Sequence, residues 1–186
     1  MKRLFDIVVA ALILLASLPL LVFVALAVRL TSPGPALYWS SRVGCDNRIF
    51  KMPKFRTMQV NTPSVATHLL TNPDAYVTPI GAFLRKSSLD ELPQLISILK
   101  GDMSFVGPRP ALYNQEDLIA LRSERGVHKL VPGLTGWAQI NGRDELPIPT
   151  KVEYDAWYLN NTSLGLDMKI LLLTFLKVIR REGVQH

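Results

Sequence analysis

The sequence predicts a mixed α/β, predominantly helical membrane protein, built from an N-terminal apolar helix and one small domain. Three observations lead to this prediction. Residues 7–28 carry no charged side chain, and short extended stretches surround a turn between residues 36 and 55. Beyond residue 78, apolar side chains recur at helical spacing in several segments. A chain of 186 residues has room for one domain with a sizeable core.

Composition concentrates both the apolar excess and the positive charge near the N-terminus. The chain is 48% hydrophobic and has a mean hydropathy of +0.20. Residues up to Arg56 include eight basic and two acidic side chains, so this part alone accounts for the net charge of +6. A basic stretch beside an apolar one suits an anionic membrane surface or an anionic substrate. Nucleic acid is not expected as a partner, because basic and aromatic residues are not interleaved and no binding motif is present.

Cysteine and histidine usage argues against disulfides and structural zinc. Cys45 is the only cysteine, so no intrachain disulfide can form. The three histidines, at 68, 128 and 186, are too widely spaced for a zinc signature. We therefore expect a protein on the cytoplasmic side of a membrane, without a structural metal.

Three interpretations compete for the apolar segment at 4–30. A secretory signal is disfavoured, because its apolar core has about 7–15 residues and this run is longer. A single spanning helix suits a run of about 20 apolar residues, but basic residues flank both ends and basic flanks favour the cytoplasm. A helix–break–helix, bent at Pro19 with help from the Ser17 hydroxyl, would enter and leave by one face. The pattern alone does not decide between the spanning helix and the bent helix that enters and leaves by one face.

Turn residues and apolar spacing predict the remaining elements in order. A stiff turn at 31–35 leaves the apolar segment, extended stretches follow at 36–38 and 48–55, and a polar loop covers 59–74. Helices are expected at 78–86, 88–100, 112–125, 150–159 and 164–181.

Two of these helices have informative faces. The helix at 88–100 is the clearest, with Gly101 as its stop. Its apolar face consists of Leu89, Leu92, Ile96 and Leu99. The helix at 164–181 combines apolar residues with a basic side, which suits either a terminal helix packed in the core or an interfacial helix.

Asp90 and Glu91 are the first candidates for chemistry, and two interpretations of them stay open. Ser88 and Glu91 have the spacing of a capping box, in which both side chains close a helix N-terminus. Alternatively, an ionised aspartate at such a terminus can attack phosphorus and form an acyl phosphate. Two neighbouring carboxylates can also hold Mg²⁺ beside substrate phosphates.

Basic residues in two rigid contexts are candidates for phosphate binding. Arg109 lies between two prolines in the segment 107–110, and an arginine held in this way suits bidentate contact with phosphate. A rigid turn with a solvated arginine is the alternative. Lys54 and Arg56 share one side of an extended stretch, with Phe55 towards the core. A solvated edge strand is the simpler explanation for that pair.

The glycine-rich loop at 132–143 carries Trp137, Gln139 and Arg143. Such groups can bind a nucleotide by stacking and hydrogen bonding. A single tryptophan is equally suited to anchoring a core. The chain contains no Gly-x-Gly-x-x-Gly or Walker pattern, so neither a Rossmann fold nor a P-loop is expected.

Taken together, these segments resemble the bacterial sugar transferase family, the monotopic phosphoglycosyl transferases. The resemblance covers nearly the whole chain in the right order and matches the minimal catalytic unit, without the additional N-terminal membrane helices of larger members. It is carried by the segments 2–6, 32–35, 54–58, 85–94, 101–110 and 132–143.

The resemblance implies a sugar-phosphate transferase that works in two steps. Asp90 would attack the β-phosphate of a UDP-sugar, UMP would leave, and polyprenol (undecaprenyl) phosphate would then take the phosphosugar from Asp90. Asp90 and Glu91 would together hold Mg²⁺, and Glu91 would also assist proton transfer. Arg109 would hold phosphate, and Arg143 would contact the nucleotide. The other expected substrate-binding residues are Lys54, Arg56, Arg85 and Gln139.

The same resemblance implies an architecture and a place in the cell. Residues 1–31 would form a reentrant membrane helix, and 32–186 a cytosolic catalytic domain with amphipathic interface helices, on the cytoplasmic face of the bacterial inner membrane. The family bends this helix at a Ser-Pro pair, whereas here Leu18 precedes Pro19. The expected partners are a UDP-sugar, polyprenol phosphate and the lipid bilayer, and a homodimer is compatible.

The expected sugar is an N-acetylated hexosamine, transferred in the first membrane step of O-antigen, capsule or glycoprotein glycan assembly. Two rival functions stay open. One is a non-catalytic membrane adaptor that docks partners through its basic face. The other is a Mg²⁺-dependent nucleotide-sugar hydrolase.

Overall fold

The computed structural model describes residues 1–63, 73–142 and 146–180, and it confirms the mixed α/β, predominantly helical class. The helices are α1 (Lys2–Thr31), α2 (Gly81–Lys86), α3 (Leu95–Lys100), α4 (Glu116–Glu124), α5 (Trp137–Ile140), α6 (Ile148–Asn161) and α7 (Leu164–Arg180). The strands are β1 (Leu37–Val43), β2 (Ile49–Phe55), β3 (Ser104–Val106) and β4 (Gly133–Thr135). Short 3₁₀ helices lie at Cys45–Asn47, Pro73–Tyr76, Leu89–Gln94 and Val127–Lys129. Arg143 and residues 64–72 of the predicted loop lie outside the described residues.

Two small two-stranded sheets organise the domain that follows α1. β1 and β2 form an antiparallel hairpin in which Leu37 pairs with Phe55, and β1 extends beyond the predicted stretch at 36–38. β3 and β4 pair in parallel, which brings residues 107–110 beside the glycine-rich loop. Gly133 is required at this contact, because a Cβ there would lie 2.1 Å from the Gly107 nitrogen.

The predicted helix at 88–100 is in fact two elements, the 3₁₀ helix at Leu89–Gln94 and then α3. Pro93 lies inside the first element and has no N–H to donate to an α-helical ladder. Ser88 has a left-handed backbone with φ 55°, and its side chain makes no capping bond. The capping-box prediction is therefore wrong.

The change of helix type also moves the buried face. A 3₁₀ helix has three residues per turn, so the phase of the apolar pattern shifts before α3 begins. Leu95 and Ile98 are the buried apolar residues of α3, whereas Ile96, predicted on the buried face, is only partly buried. The other predicted helices are present, with α4 shorter and α6 longer than expected.

α1 runs from Lys2 to Thr31 as one helix with Pro19 inside it. The break into two separate helices is therefore not seen, and the bend at Pro19 stays a prediction. Proline leaves the carbonyl of Leu15 without its usual donor. The Ser17 hydroxyl donates to the neighbouring carbonyl of Leu14, at 3.3 Å. By length and composition, α1 is the one helix among the described residues that could cross a membrane.

Both ends of α1 pack on the same domain. Near the N-terminus, Ala10 is buried in the main apolar cluster. Near the C-terminus, Val24 and Val28 are buried in a second cluster with residues of β2 and α2. Between the two ends the apolar side chains are mostly exposed. The main cluster also contains Met52, Leu95, Ile98, Met103, Phe105, Val106, Ile140, Tyr158 and Ile170.

Charged and polar contacts hold the N-terminal end of α1 to the domain. Lys2 forms an ion pair with Asp167 of α7 and donates to the Val106 carbonyl at 3.0 Å. The Tyr158 hydroxyl donates to the other oxygen of Asp167 at 2.6 Å. Burial, together with the hydrogen bond to Asp167, raises the pKa of Tyr158, so the phenol remains a donor. Arg3 donates to two carbonyls in the last turn of α3.

Arg56 holds the turn at the other end of α1. Arg56 is 5% exposed, and its guanidinium donates to the carbonyls of Ser32, Pro33 and Pro35 at 2.6–2.9 Å. It also donates to the Ser32 hydroxyl at 2.9 Å. The sequence predicted Arg56 as a phosphate-binding base, but the contacts of its side chain in this structure are those of a structural residue.

α7 presents one face to the core and another to the surroundings. Asp167 and Ile170 are buried, and Thr174 hydrogen-bonds Thr135 of β4 at 2.7 Å. The opposite face exposes the apolar residues Leu164, Met168, Leu172, Phe175 and Leu176. The core-packed interpretation is therefore confirmed, and the interfacial interpretation stays a prediction that the apolar outer face would suit.

We predict that Arg56→Ala lowers the free energy of unfolding by about 2–3 kcal/mol, because three buried or partly buried carbonyls lose a charged donor. For a chain of this size, Tm would fall by roughly 5–10 °C, measured by thermal unfolding in detergent. Arg48→Ala is the matched control, since Arg48 is exposed, and it should stay within ~0.5 kcal/mol of the parent. Equal effects of the two substitutions would contradict the structural role of Arg56.

Candidate active site

Asp90 and Glu91 lie on the 3₁₀ helix at Leu89–Gln94, which packs against β2. The left-handed backbone of Ser88 turns the chain from α2 into this helix. Asp90 is 8% exposed. Because β2 runs beside the helix, Lys54 of that strand faces the two acids.

Glu91 is held in its ionised form by two cations. Lys54 Nζ donates to Glu91 Oε1 at 2.7 Å, and Arg109 Nη2 lies 3.9 Å from the same oxygen. Burial opposes ionisation, but the charges of Lys54 and Arg109 and the amide of Gln94 outweigh it and lower the pKa of Glu91 to about 2. Glu91 is therefore a fixed negative charge at neutral pH.

Asp90 titrates much closer to neutrality than its neighbour. Burial raises the pKa of Asp90 to about 6, against the lowering effect of the Lys54 charge. The adjacent Glu91 carboxylate adds to the rise, and Arg85 opposes it. The sequence attributed ionisation of Asp90 to a helix N-terminus, whereas the structure attributes its state to burial and to these side chains. Asp90 is mostly ionised at pH 7 and is poorly solvated, which suits a nucleophile.

Arg85 lies at the edge of the same site. Its Nε donates to the Thr57 hydroxyl at 3.0 Å. Burial lowers the pKa of Arg85, while the charges of Asp90 and Asp74 raise it. The guanidinium remains charged and is oriented by Thr57, so it can contribute a second positive charge next to Asp90.

The acids lie beside a small pocket, and the segment 107–110 forms part of its wall. The Gly107 amide donates to the Thr135 carbonyl and the Gly133 amide to the Pro108 carbonyl, both at 2.9 Å. These bonds fix the segment to β4. The pocket is lined by Arg42, Met52, Lys54, Gln94, Arg109, Pro110 and Gly133. It is a small basic cleft beside the acids, which suits phosphate groups.

Gln139 is buried on α5. It is 8% exposed, and within the described residues both polar atoms of its amide lack a hydrogen-bond partner. Buried amides are normally paired, so Gln139 has unused capacity to bind a polar ligand. The Trp137 ring stacks on that of Trp157 with centroids 4.5 Å apart, which gives Trp137 a packing role. Arg143, the other predicted nucleotide contact, lies outside the described residues.

The structure thus brings together five of the predicted site residues and adds two that the sequence missed. One site is surrounded by Asp90, Glu91, Lys54, Arg85 and Arg109. Arg56 instead contacts the turn that follows α1. Gln94 follows Glu91 by three residues and so shares its face of the helix, but the sequence analysis did not single it out. Arg42 was missed because only the hairpin register puts it on the face of Lys54.

The two acids have the donor chemistry for a magnesium ion. Carboxylate oxygens are the protein ligands that Mg²⁺ prefers, and one or two of them usually suffice when substrate phosphates complete the coordination. No larger cluster of potential metal-ligating side chains is found among the described residues. Asp90 and Glu91 therefore fit a substrate-bridged metal better than a closed structural site.

Comparison with known proteins gives the family. Residues 1–181 match the model of the bacterial sugar transferase family. Over 186 residues the chain is 42% identical to the uncharacterized sugar transferase EpsL of Bacillus subtilis, with 100% of this chain and 91% of that protein covered. It is 44% identical to the UDP-glucose:undecaprenyl-phosphate glucose-1-phosphate transferase of Escherichia coli, covering 95% of this chain and 40% of that protein. It is 38% identical to the undecaprenyl-phosphate galactose phosphotransferase of Salmonella typhimurium, covering 98% of this chain and 41% of that protein.

An acid pair with one buried member, flanked by bases on a domain that carries a long apolar helix, suits a membrane-associated enzyme that handles phosphates. The chain belongs to the bacterial sugar transferase family, which confirms the resemblance found in the sequence. It is a transferase by that membership. The chain spans about two fifths of the Escherichia coli and Salmonella relatives and nine tenths of the Bacillus relative.

The pKa of Asp90 predicts the acidic limb of the pH profile. If Asp90 must be ionised, kcat/KM falls as the pH drops through about 6, because protonation removes the nucleophile. Lys54→Met should move this limb to higher pH, since the Lys54 charge lowers the pKa of Asp90. Lys51→Met is the control, because Lys51 is exposed on the same strand. Profiles of the parent and both variants are compared, and a limb that Lys54→Met leaves in place would contradict the assignment.

Proposed function

We propose that this protein transfers a sugar 1-phosphate from a UDP-sugar to polyprenol phosphate through a phosphosugar intermediate on Asp90. The observation that carries the proposal is the contrast within the acid pair. Glu91 is neutralised by Lys54 at 2.7 Å, whereas Asp90 is buried and has a pKa of about 6. The names of the Escherichia coli and Salmonella relatives describe transfer of glucose phosphate and galactose phosphate to undecaprenyl phosphate, which supports the same reaction class here.

The first step forms a bond between an Asp90 carboxylate oxygen and the β-phosphorus of the UDP-sugar. The bond from that phosphorus to the oxygen shared with the α-phosphate breaks, and UMP leaves with the electron pair. Lys54, Arg85 and Arg109 supply positive charge where negative charge accumulates on the phosphoryl oxygens. Glu91 orients Lys54 and, by its own charge, keeps Asp90 basic enough to attack.

The second step transfers the phosphosugar to the lipid. A phosphate oxygen of polyprenol phosphate attacks the phosphorus on Asp90, and the aspartate carboxylate is the leaving group. The product is a polyprenyl diphosphate sugar. A carboxylate of moderate pKa serves both steps, because it is nucleophilic enough to attack UDP-sugar and stable enough to leave.

A magnesium ion fits this scheme as a cofactor. Asp90 and Glu91 would hold it, and when bound it would neutralise charge on the substrate diphosphate. The basic residues around the pair then position the phosphates and stabilise the leaving group. The buried Gln139 amide, with its donor and acceptor both unused among the described residues, is proposed to contact the nucleotide.

We also propose that α1 enters and leaves the membrane by the cytoplasmic face, as a reentrant helix. Two observations support this path. Both ends of α1 pack on one domain, and a spanning helix would separate its ends by the bilayer. The stretch between the buried residues Ala10 and Val24 rises about 21 Å, which is shorter than the hydrocarbon core of about 30 Å. The apolar outer face of α7 would lie on the same interface, and the location in a bacterium would be the inner membrane.

Two sources bear on the identity of the sugar. The expectation from the family resemblance is an N-acetylated hexosamine, while the named relatives are a glucose and a galactose phosphate transferase. A panel of UDP-glucose, UDP-galactose and their N-acetylated amino forms separates these options. The donor that gives the highest kcat/KM for lipid product, with radiolabelled sugar, identifies the substrate.

Asp90→Asn tests the covalent mechanism. We expect UMP release to fall by at least about a thousandfold, as for loss of other enzyme nucleophiles. Asp117→Asn is the control, because Asp117 is exposed on α4, and it should retain activity. Without lipid acceptor, the parent should release one equivalent of UMP per enzyme and carry the phosphosugar mass on the Asp90 peptide. Continued release of free sugar phosphate would favour a hydrolase, and full activity of Asp90→Asn would favour an adaptor.

Thiol labelling tests the path of α1. In a Cys45→Ser background, one cysteine is introduced in a tag before Met1, which is fully exposed, and another by Arg48→Cys in the domain. Both should resist an impermeant reagent until the inner membrane is opened, because both lie on the cytoplasmic face. Labelling of the tag from outside while residue 48 stays protected would mean that α1 spans the membrane.

A further inference from the structure

Three consecutive backbone carbonyls around Arg109 are each held by a donor from a different part of the chain. The pairs are Gly133 N–Pro108 O at 2.9 Å, Arg122 Nη1–Arg109 O at 2.8 Å and Arg42 Nη1–Pro110 O at 3.1 Å. The flanking prolines fix two more backbone angles. The direction of the Arg109 side chain is therefore set by a backbone with little freedom.

Arg122 joins this segment to a buried aspartate. Its Nε and Nη2 donate to Asp155 Oδ2 at 3.0 and 2.6 Å, and its Nη1 is the nitrogen that contacts the Arg109 carbonyl. Arg122 is 8% exposed and Asp155 1% exposed. The guanidinium thus links α4, α6 and the segment 107–110 through all three of its nitrogens.

Stability alone does not account for this ion pair. A buried pair often stabilises a protein no better than apolar residues of similar volume, because both charges lose their hydration. Burial raises the pKa of Asp155 despite the opposing Arg122 charge, which shows that this penalty applies here. The surrounding cluster already contains the buried apolar residues Ala111, Leu118 and Val152. What apolar packing cannot supply is a directional bond to the Arg109 carbonyl.

We propose that Arg122 and Asp155 are positioning residues for the transfer reaction. Asp155 orients the Arg122 guanidinium, and Arg122 holds the Arg109 backbone so that the Arg109 side chain stays on the phosphate side of the acid pair, 3.9 Å from Glu91. The inference rests on the proposed function, because that function gives Arg109 its phosphate.

The test replaces the pair by apolar residues in the full chain, reconstituted in lipid nanodiscs. Arg122→Met/Asp155→Leu keeps much of the buried volume, so Tm should fall by only a few degrees, mainly because the Arg109 carbonyl loses its donor. The Kd for UDP should rise about tenfold or more, with a matching fall in kcat/KM for lipid product, since small misplacement of a binding group is costly. Asp155→Asn is the second variant, because it keeps the shape and removes the charge, and it should act in the same direction.

Leu118→Ala is the matched control. It opens a cavity in the same apolar cluster but makes no contact with the carbonyls of the segment 107–110. It should lower Tm and leave the Kd for UDP unchanged when measured well below Tm. Weakened UDP binding in Leu118→Ala equal to that of the pair variants would show a general structural role and would overturn the proposal.

The same variants in an Arg109→Ala background test the route of the effect. Residues that act through one partner are not additive, so the pair variant should weaken UDP binding by less than about twofold further once Arg109 is gone. Equal weakening in both backgrounds, or a parental Kd in the pair variant, would overturn the inference. Failure of the proposed function itself is a different result, namely parent protein that binds UDP but forms no lipid product from any donor in the panel.

Discussion

The docking of both ends of α1 on one small domain is the constraint on which the rest of the structure depends. Lys2 and Arg3 tie one end to α7 and α3, and Arg56 ties the turn at the other end. The helix ends are thereby held at fixed positions relative to the 3₁₀ helix that carries the acids. In the proposed function, a site fixed in this way relative to α1 would meet the phosphate of a membrane lipid without extraction of the lipid.

Within the site, one lysine gives two adjacent carboxylates different pKa values. Lys54 bonds Glu91 directly and acts on Asp90 only at longer range. Burial disfavours both charges, but only Glu91 receives a compensating hydrogen bond from the lysine. The outcome is one permanently charged acid beside one that titrates near neutrality. A difference of this kind separates supporting and reacting groups wherever two acids share a site.

The sequence predicted the fold class, the membrane helix and most of the site, because these depend on local pattern or on a motif. The predictions that were wrong depend on tertiary contacts. The capping box failed since Pro93 converts the start of that helix to 3₁₀ geometry, and Ser88 takes a left-handed conformation. The phosphate role predicted for Arg56 stays a prediction, but its contacts with the turn after α1 were not foreseen, because they depend on tertiary packing. Arg42 could be placed beside Lys54 only once the hairpin register was known.

The burial of Ala10, Val24 and Val28 also decides what kind of anchor α1 is. A removable tail could be deleted to yield a water-soluble fragment for crystallography or screening. Here deletion would uncover Leu84 and Phe55, which are buried with Val24 and Val28, and would strip Asp167 of its cation. The truncated polypeptide would expose an apolar surface to water and would be prone to aggregate. Production of this protein for biochemistry therefore calls for the intact chain and a membrane mimetic from the first step.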